Sequence, residues 1–145
     1  MRVLVTGGRH YGDRANVFRN LDLLHATQPI SLVIHGACVE RATNGRLELR
    51  GADRWAGEWA LEREVPCVAH PAKWLAEGRN AGPARNQKML DLYRPAVVLA
   101  FPGGCGTADM MRRATLGQIR LVKAVPTPAE RAASTTAEGS FEAQP

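Results

Sequence analysis

Short apolar segments alternate with amphipathic stretches over residues 1–125, and this alternation constrains the fold more than any other feature. The apolar segments are residues 3–5, 30–34, 66–69, 96–101 and 119–125. Strands that are apolar on both faces and are joined by helices form parallel sheets covered on both sides. The sequence therefore predicts one α/β domain over residues 1–125, a Rossmann-like three-layer fold with a mostly parallel sheet of about five strands.

Apolar residues recur at helical spacing in the segments between the predicted strands. Asp13 is a candidate N-cap for a helix with the stripe Val17, Phe18, Leu21 and Leu24. A second helix begins near Gly51, and its stripe includes Trp55 and Trp59, which we expect in the core or at a dimer surface. A third helix is predicted with Pro83 at its first position.

Two segments lie outside this alternation. Residues 37–50 form a loop insertion after the second predicted strand, with the length of a small hairpin or flap. Residues 126–145 contain almost no large apolar side chain, so they cannot bury enough surface to offset the entropy of ordering. We expect residues 126–145 to form a disordered tail.

Charge and cysteine content limit the class of partner. The formal charge is +5, and because residues 126–145 hold one arginine and three glutamates, residues 1–125 carry +7. A basic domain suits a small anionic ligand or nucleic acid. The three cysteines form no C-x-x-C pair, so we expect no metal site, and a reducing cytoplasm suits them best. No apolar run approaches the ~20 residues of a membrane span.

Glycine-rich loops follow three of the predicted strands. They include Gly7 and Gly8, then Gly36, and then the segment 102–107. Ligands of open parallel sheets bind at the carboxyl ends of the strands, where glycine lets backbone amides approach an anion. The loops therefore predict a nucleotide site, although Asp13 and Arg14 replace the Lys and Ser/Thr of an ATP-hydrolysing P-loop.

A family resemblance agrees with this interpretation. The segment Pro102-Gly103-Gly104-Cys105-Gly106-Thr107 resembles the P-G-G-x-G-T motif of the SLOG superfamily, which includes the Lonely Guy phosphoribohydrolases. Further segments resemble its YspA-type branch, in order: 3–9, His35-Gly36, Gly51-Ala52-Asp53 and Gly82-Pro83-x-Arg85-Asn86. The resemblance covers about residues 2–125 and implies a Rossmann-like domain that binds a nucleotide or nucleotide-derived ligand, commonly as a homodimer or larger homo-oligomer.

The resemblance also implies roles for individual residues. Arg85 matches an arginine near the ribose and phosphate in the family, and Asn86 belongs to the same motif; a solvated helix arginine is the alternative. The phosphate cradle would be formed by four residues of the motif: Gly103, Gly104, Gly106 and Thr107. The alternative is that these residues only form a tight turn between the strand and the helix.

Loops after the first two strands supply further candidates. Arg9 directly follows the pair Gly7-Gly8 and could pair with a phosphate, and Gly36 lies where the second loop begins. Asp53 could accept hydrogen bonds from ribose hydroxyls or could cap the helix that begins near Gly51.

The chain departs from the family at the catalytic position. Phosphoribohydrolases of the family carry P-G-G-x-G-T-x-x-E, and the position of that glutamate is occupied here by Met110. A methionine can neither activate water nor stabilise a developing positive charge. If the protein were an enzyme, it would be a nucleotide N-glycosidase with Arg85 and Asp109 as its catalytic groups.

Binding of a small-molecule nucleotide ranks first among the functions that the sequence favours. The expected ligands are ADP-ribose, an NAD-related molecule or a nucleoside monophosphate, and the sequence identifies no further cofactor with certainty. The first alternative is an N-glycosidase acting on a nucleoside 5′-monophosphate. The second is binding of single-stranded nucleic acid, which ranks last because no basic ladder with interleaved aromatic residues is present.

Overall fold

The computed structural model describes residues 1–132 and contains a five-stranded parallel sheet with helices on both faces, which confirms the predicted fold class. In chain order the strands are β1 (Arg2–Thr6), β2 (Leu32–His35), β3 (Val39–Arg41), β4 (Leu47–Leu49), β5 (Cys67–Ala69), β6 (Val97–Ala100) and β7 (Arg120–Lys123). The order across the sheet is β5-β2-β1-β6-β7, and every neighbouring pair is parallel. Strands β3 and β4 pair with each other in an antiparallel hairpin.

Within residues 1–125, five α-helices connect or follow the strands: α1 (Arg14–Thr27), α2 (Gly51–Glu62), α3 (Trp74–Glu77), α4 (Ala81–Tyr93) and α5 (Cys105–Leu116). Asp13 caps α1 as predicted, because its side chain accepts the backbone N–H of Asn16 at 3.0 Å. The predicted start of the third helix at Pro83 is wrong. A 3₁₀ turn over Gly78–Asn80 runs directly into α4, so Pro83 is the third residue of that helix.

Alternation along the strands produces two separate cores. Helices α1 and α2 cover one face of the sheet, where Val3, Val5 and Leu99 pack with Trp59, which is fully buried. Helices α4 and α5 cover the other face, whose core includes Leu4, Ile34, Val98, Met89 and Met110. The prediction that Trp59 belongs to the core is confirmed.

The strand order places a crevice between β1 and β6. The chain leaves β1 toward β2 on one side, whereas β6 leads to β7 on the other. Loops after two such neighbouring strands diverge to opposite faces and open a crevice at their carboxyl ends. The fold therefore brings the glycine-rich loops after β1 and β6 to one place.

The insertion and the start of the predicted tail both adopt defined structure. Residues 37–50 contain the β3–β4 hairpin. Residues 128–132 are helical, and the backbone N–H of Val125 donates to Asn20 Oδ1 at 2.9 Å. The rest of the predicted tail, 133–145, lies outside the described residues. Across residues 1–132, no helix has the length and apolar character needed to cross a bilayer.

Candidate functional site

Backbone hydrogen bonds join the loops at the carboxyl edge of the sheet. The N–H of Gly8, after β1, donates to the carbonyl oxygen of Pro102, after β6, at 2.9 Å. The carbonyl oxygen of Gly8 accepts the N–H of Ala52, in the first turn of α2, at 3.3 Å. The loop after β1 is therefore held between the start of α2 and the loop after β6.

Two glycines are needed for this close packing. Gly51 has a φ of +64°, and a Cβ there would collide with the carbonyl oxygen of Gly8. A Cβ at Gly103 would collide with Thr107 Oγ1 and would lie 2.6 Å from the N–H nitrogen of Gly8. Since the amide of Gly8 already donates to Pro102, the structure gives Gly8 a packing role and leaves its amide no free bond for a phosphate.

The first turn of α5 contains unpaired backbone amides, at the exposed residues Cys105 and Gly106 and at the buried Thr107. Gly104 is the N-cap residue and provides no side-chain cap. None of the N–H groups of Cys105, Gly106 and Thr107 donates to an acceptor within residues 1–132. Helix N-termini combine such orphan donors with a positive partial charge, which favours an anion. This turn corresponds to the P-G-G-x-G-T motif.

Arg85 extends from α4 toward the same edge. Its Nη1 donates to the carbonyl oxygen of Gly36, at the end of β2, and its Nε donates to Asn86 Oδ1 at 3.0 Å. Asn86, which is buried, in turn donates from Nδ2 to the carbonyl oxygen of Gly106 at 3.2 Å. Hydrogen bonds through Asn86 therefore position Arg85 relative to the first turn of α5.

A buried carboxylate lies at the start of α2. Asp53 is 5% exposed, and its Oδ2 accepts the N–H of Cys38 at 2.8 Å. Burial raises the pKa of Asp53 to about 6, against the lowering effects of the Cys38 N–H and of the Arg85 guanidinium. The helix-cap alternative for Asp53 is wrong, because the N-cap position of α2 is Arg50. Within the described chain, Asp53 Oδ1 has no hydrogen-bond partner.

Neither Asp109 nor Met110 supplies a free catalytic group at the carboxyl edge of the sheet. Asp109 accepts from Arg112 at 2.6 Å, Arg113 at 2.8 Å and Asn86 at 2.9 Å. Burial would raise the pKa of Asp109, but these hydrogen bonds and charges outweigh it and hold the pKa below its usual value. Met110 is fully buried in the core beneath α5. Asp109 is thus engaged in ion pairs, and Met110 does not reach the edge.

Arg9 is exposed at this edge, whereas His35 is buried beneath it. The Arg9 side chain is exposed beside the start of α2 and has no hydrogen-bond partner within residues 1–132. His35 is 2% exposed, and its Nδ1 accepts the N–H of Ala37 at 3.0 Å. Burial, with a smaller effect of Arg85, lowers the pKa of His35 to about 4. His35 is therefore neutral near pH 7 and stabilises the turn after β2.

Sequence reasoning missed Trp74. This residue begins the four-residue helix α3 between β5 and α4, and 58% of its surface is exposed. Its ring packs over Gly82, with Cη2 3.3 Å from the position that a Cβ there would occupy. The only sequence signal was an isolated aromatic residue just before the Gly82–Asn86 motif.

Comparison with known proteins identifies one family and one relative to which this chain is similar. The sequence profile of the family described as "YspA, cpYpsA-related SLOG family" matches residues 1–44. Gene 61 protein of Mycobacterium phage D29 is 36% identical over 127 residues, which cover 83% of this chain and 94% of that relative. The chain belongs to the YspA-type SLOG family. No solved structure matches this SLOG protein significantly.

Proposed function

We propose that the protein binds a nucleotide or nucleotide-derived ligand at the carboxyl edge of its sheet. Membership of the SLOG family suggests a nucleotide-related ligand. The observation that carries the proposal is the first turn of α5, which is exposed at Cys105 and Gly106 and whose amides at residues 105–107 are unpaired, with Arg85 positioned beside it through Asn86. Amides at a helix N-terminus and a guanidinium together form a strong phosphate-binding arrangement.

The surrounding residues support a ligand with a ribose and at least one phosphate. The phosphate lies at the α5 turn and contacts Arg85, with Arg9 available at the rim. The unpartnered Oδ1 of Asp53 is a suitable acceptor for ribose hydroxyls. Candidate ligands of this chemistry are AMP, ADP-ribose and NAD.

Isothermal titration calorimetry with AMP, ADP-ribose and NAD tests this proposal. We expect the wild-type protein to bind at least one of them, and Arg85→Met to weaken binding about 10- to 150-fold, because a hydrogen bond to a charged group contributes about 1.5–3 kcal/mol. Arg120→Met, which removes an exposed arginine of β7, is the matched control and should bind as the wild type does. A wild-type protein that binds none of the three ligands would contradict the proposal.

Hydrolysis of the N-glycosidic bond is the second candidate, and Asp53 is the observation in its favour. Asp109 is held by two arginines and Met110 is buried, so the carboxyl group with a free oxygen near Arg85 is that of Asp53. Its role would be to stabilise the positive charge that develops on the ribose as the base leaves. With water as the acceptor, AMP would give adenine and ribose 5-phosphate, and NAD would give nicotinamide and ADP-ribose. Chromatography would detect these products, and Asp53→Asn should abolish their release while Asp109→Asn retains it.

A further inference from the structure

We propose that Trp74 forms a nucleobase subsite in which the base of the ligand stacks on its exposed indole ring. This inference rests on the proposed function and specifies the class of ligand: a phosphate-bearing nucleotide with an aromatic base, rather than a sugar phosphate alone. Three observations carry it: the exposure of the ring, its contact with α4 and the position of Arg85 on the same helix.

The Trp74 ring is exposed although it is a large aromatic group. Its surface is 58% exposed, and its indole N–H has no partner within residues 1–132. Trp55 and Trp59, in contrast, donate their indole N–H groups to Tyr11 and Asp22. Trp74 is therefore the indole within the described chain that offers both an open ring face and a free donor.

The ring also has a fixed position relative to the phosphate groups. Its edge rests on Gly82 in the first turn of α4, where a side chain would crowd it. Arg85 and Asn86 follow Gly82 by three and four residues, so they lie on the same face of α4, about 5–6 Å away between Cβ positions. The indole ring and Arg85 thus lie on one face of α4. From the same face, Asn86 donates a hydrogen bond to the carbonyl oxygen of Gly106 in the first turn of α5.

The chemistry of this arrangement suits a base better than an apolar partner. Stacking on an aromatic ring contributes to binding for every nucleobase, because each presents a π-face. Lys73 and Arg79 flank α3 and Glu77 ends it, so basic residues outnumber acidic ones on this surface, which favours an anionic ligand. A ligand whose phosphate occupies the α5 turn would extend its base across Arg85 toward Trp74.

A comparison of AMP with ribose 5-phosphate by calorimetry tests the subsite. We expect Trp74→Ala to weaken AMP binding about 5- to 150-fold, the range for loss of one base–aromatic stack, and to leave ribose 5-phosphate binding unchanged. Trp74→Phe should retain most of the AMP affinity. Leu75→Ala, which alters the neighbouring exposed residue of α3, is the matched control and should bind both ligands as the wild type does.

The possible failures can be distinguished. Equal AMP affinity for wild type and Trp74→Ala would overturn the subsite and leave the phosphate site standing. Equal weakening of AMP and ribose 5-phosphate would show that Trp74 only supports α4 and would also overturn the subsite. A change in oligomeric state on gel filtration, with AMP affinity unchanged, would assign Trp74 to self-association instead. A wild-type protein that binds neither AMP nor ribose 5-phosphate would overturn the subsite, and binding of ADP-ribose or NAD by the same protein would leave the proposed function standing.

Discussion

Replacing Met110 with glutamate restores the residue type that phosphoribohydrolases of the family carry at this position, and we predict that it destabilises the fold. The side chain at 110 is fully buried among Leu4, Met89 and Val98. A carboxylate there has no water and no polar partner, so its pKa must rise above that of the unfolded chain, about 4.3. Holding it protonated at pH 7 costs about 3.7 kcal/mol, and burying the neutral acid costs about 1–3 kcal/mol more. The sum approaches the whole stability of a small domain, about 5–15 kcal/mol.

Urea unfolding of Met110→Glu and Met110→Gln at several pH values measures this cost. Both variants bury a polar group of similar size, so the difference between their free energies of unfolding isolates the ionisation. Because the folded state of Met110→Glu holds the extra proton, its stability falls as pH rises above about 4.3. The difference should grow from about 1 kcal/mol at pH 5 to about 3.7 kcal/mol at pH 7. A difference that stays constant with pH would refute the burial of position 110 and would open this position to catalysis.

Four further substitutions test other parts of the account. Gly103→Ala should lower the free energy of unfolding by about 1–3 kcal/mol, because its Cβ collides with Thr107. The Cβ of Gly104→Ala meets open space, so the free energy of unfolding of this variant in thermal melts should lie within about 0.5 kcal/mol of the wild-type value. The pKa of Asp53 in the folded protein is about 6, against an ordinary 3.8, so its contribution to stability falls by up to about 3 kcal/mol as pH rises through this range. His35, whose lowered pKa acts in the opposite direction, is common to wild type and Asp53→Asn, so the difference between their free energies of unfolding in urea titrations between pH 4 and 7 should show the fall due to Asp53. Trp59→Ala should cost about 3–5 kcal/mol in urea unfolding, since this ring is fully buried.

The sheet could be predicted from the sequence because its central strands are apolar on both faces. Residues of β1 and β6 alternate between the two cores, so a continuous apolar run is what their burial requires. Helix α3 could not be predicted in the same way. It is one turn long, too short to show a helical period, and neither its Trp74 nor its Leu75 is buried.

The sequence predicted which residues belong to the candidate site. It could not predict their hydrogen bonds and burial, because these depend on contacts between distant parts of the chain. The motif identified the turn at residues 103–107, but nothing local shows that the amide of Gly8 is already used by Pro102. The role of Asp53 was open for the same reason. Its burial and its bond to Cys38 depend on how the hairpin insertion returns to α2, which a local pattern does not specify.

The central claim is that the amides at the start of α5 bind a phosphate, and NMR titration of the ¹⁵N-labelled protein with AMP tests it most directly. We predict that the largest chemical-shift changes occur at the amides of Cys105, Gly106 and Thr107 and that Arg85→Met reduces them at equal ligand concentration. Ribose 5-phosphate should shift the same three amides. Binding that leaves these amides unmoved, with shifts instead at the opposite edge of the sheet around Pro95 and Ile119, would contradict the account.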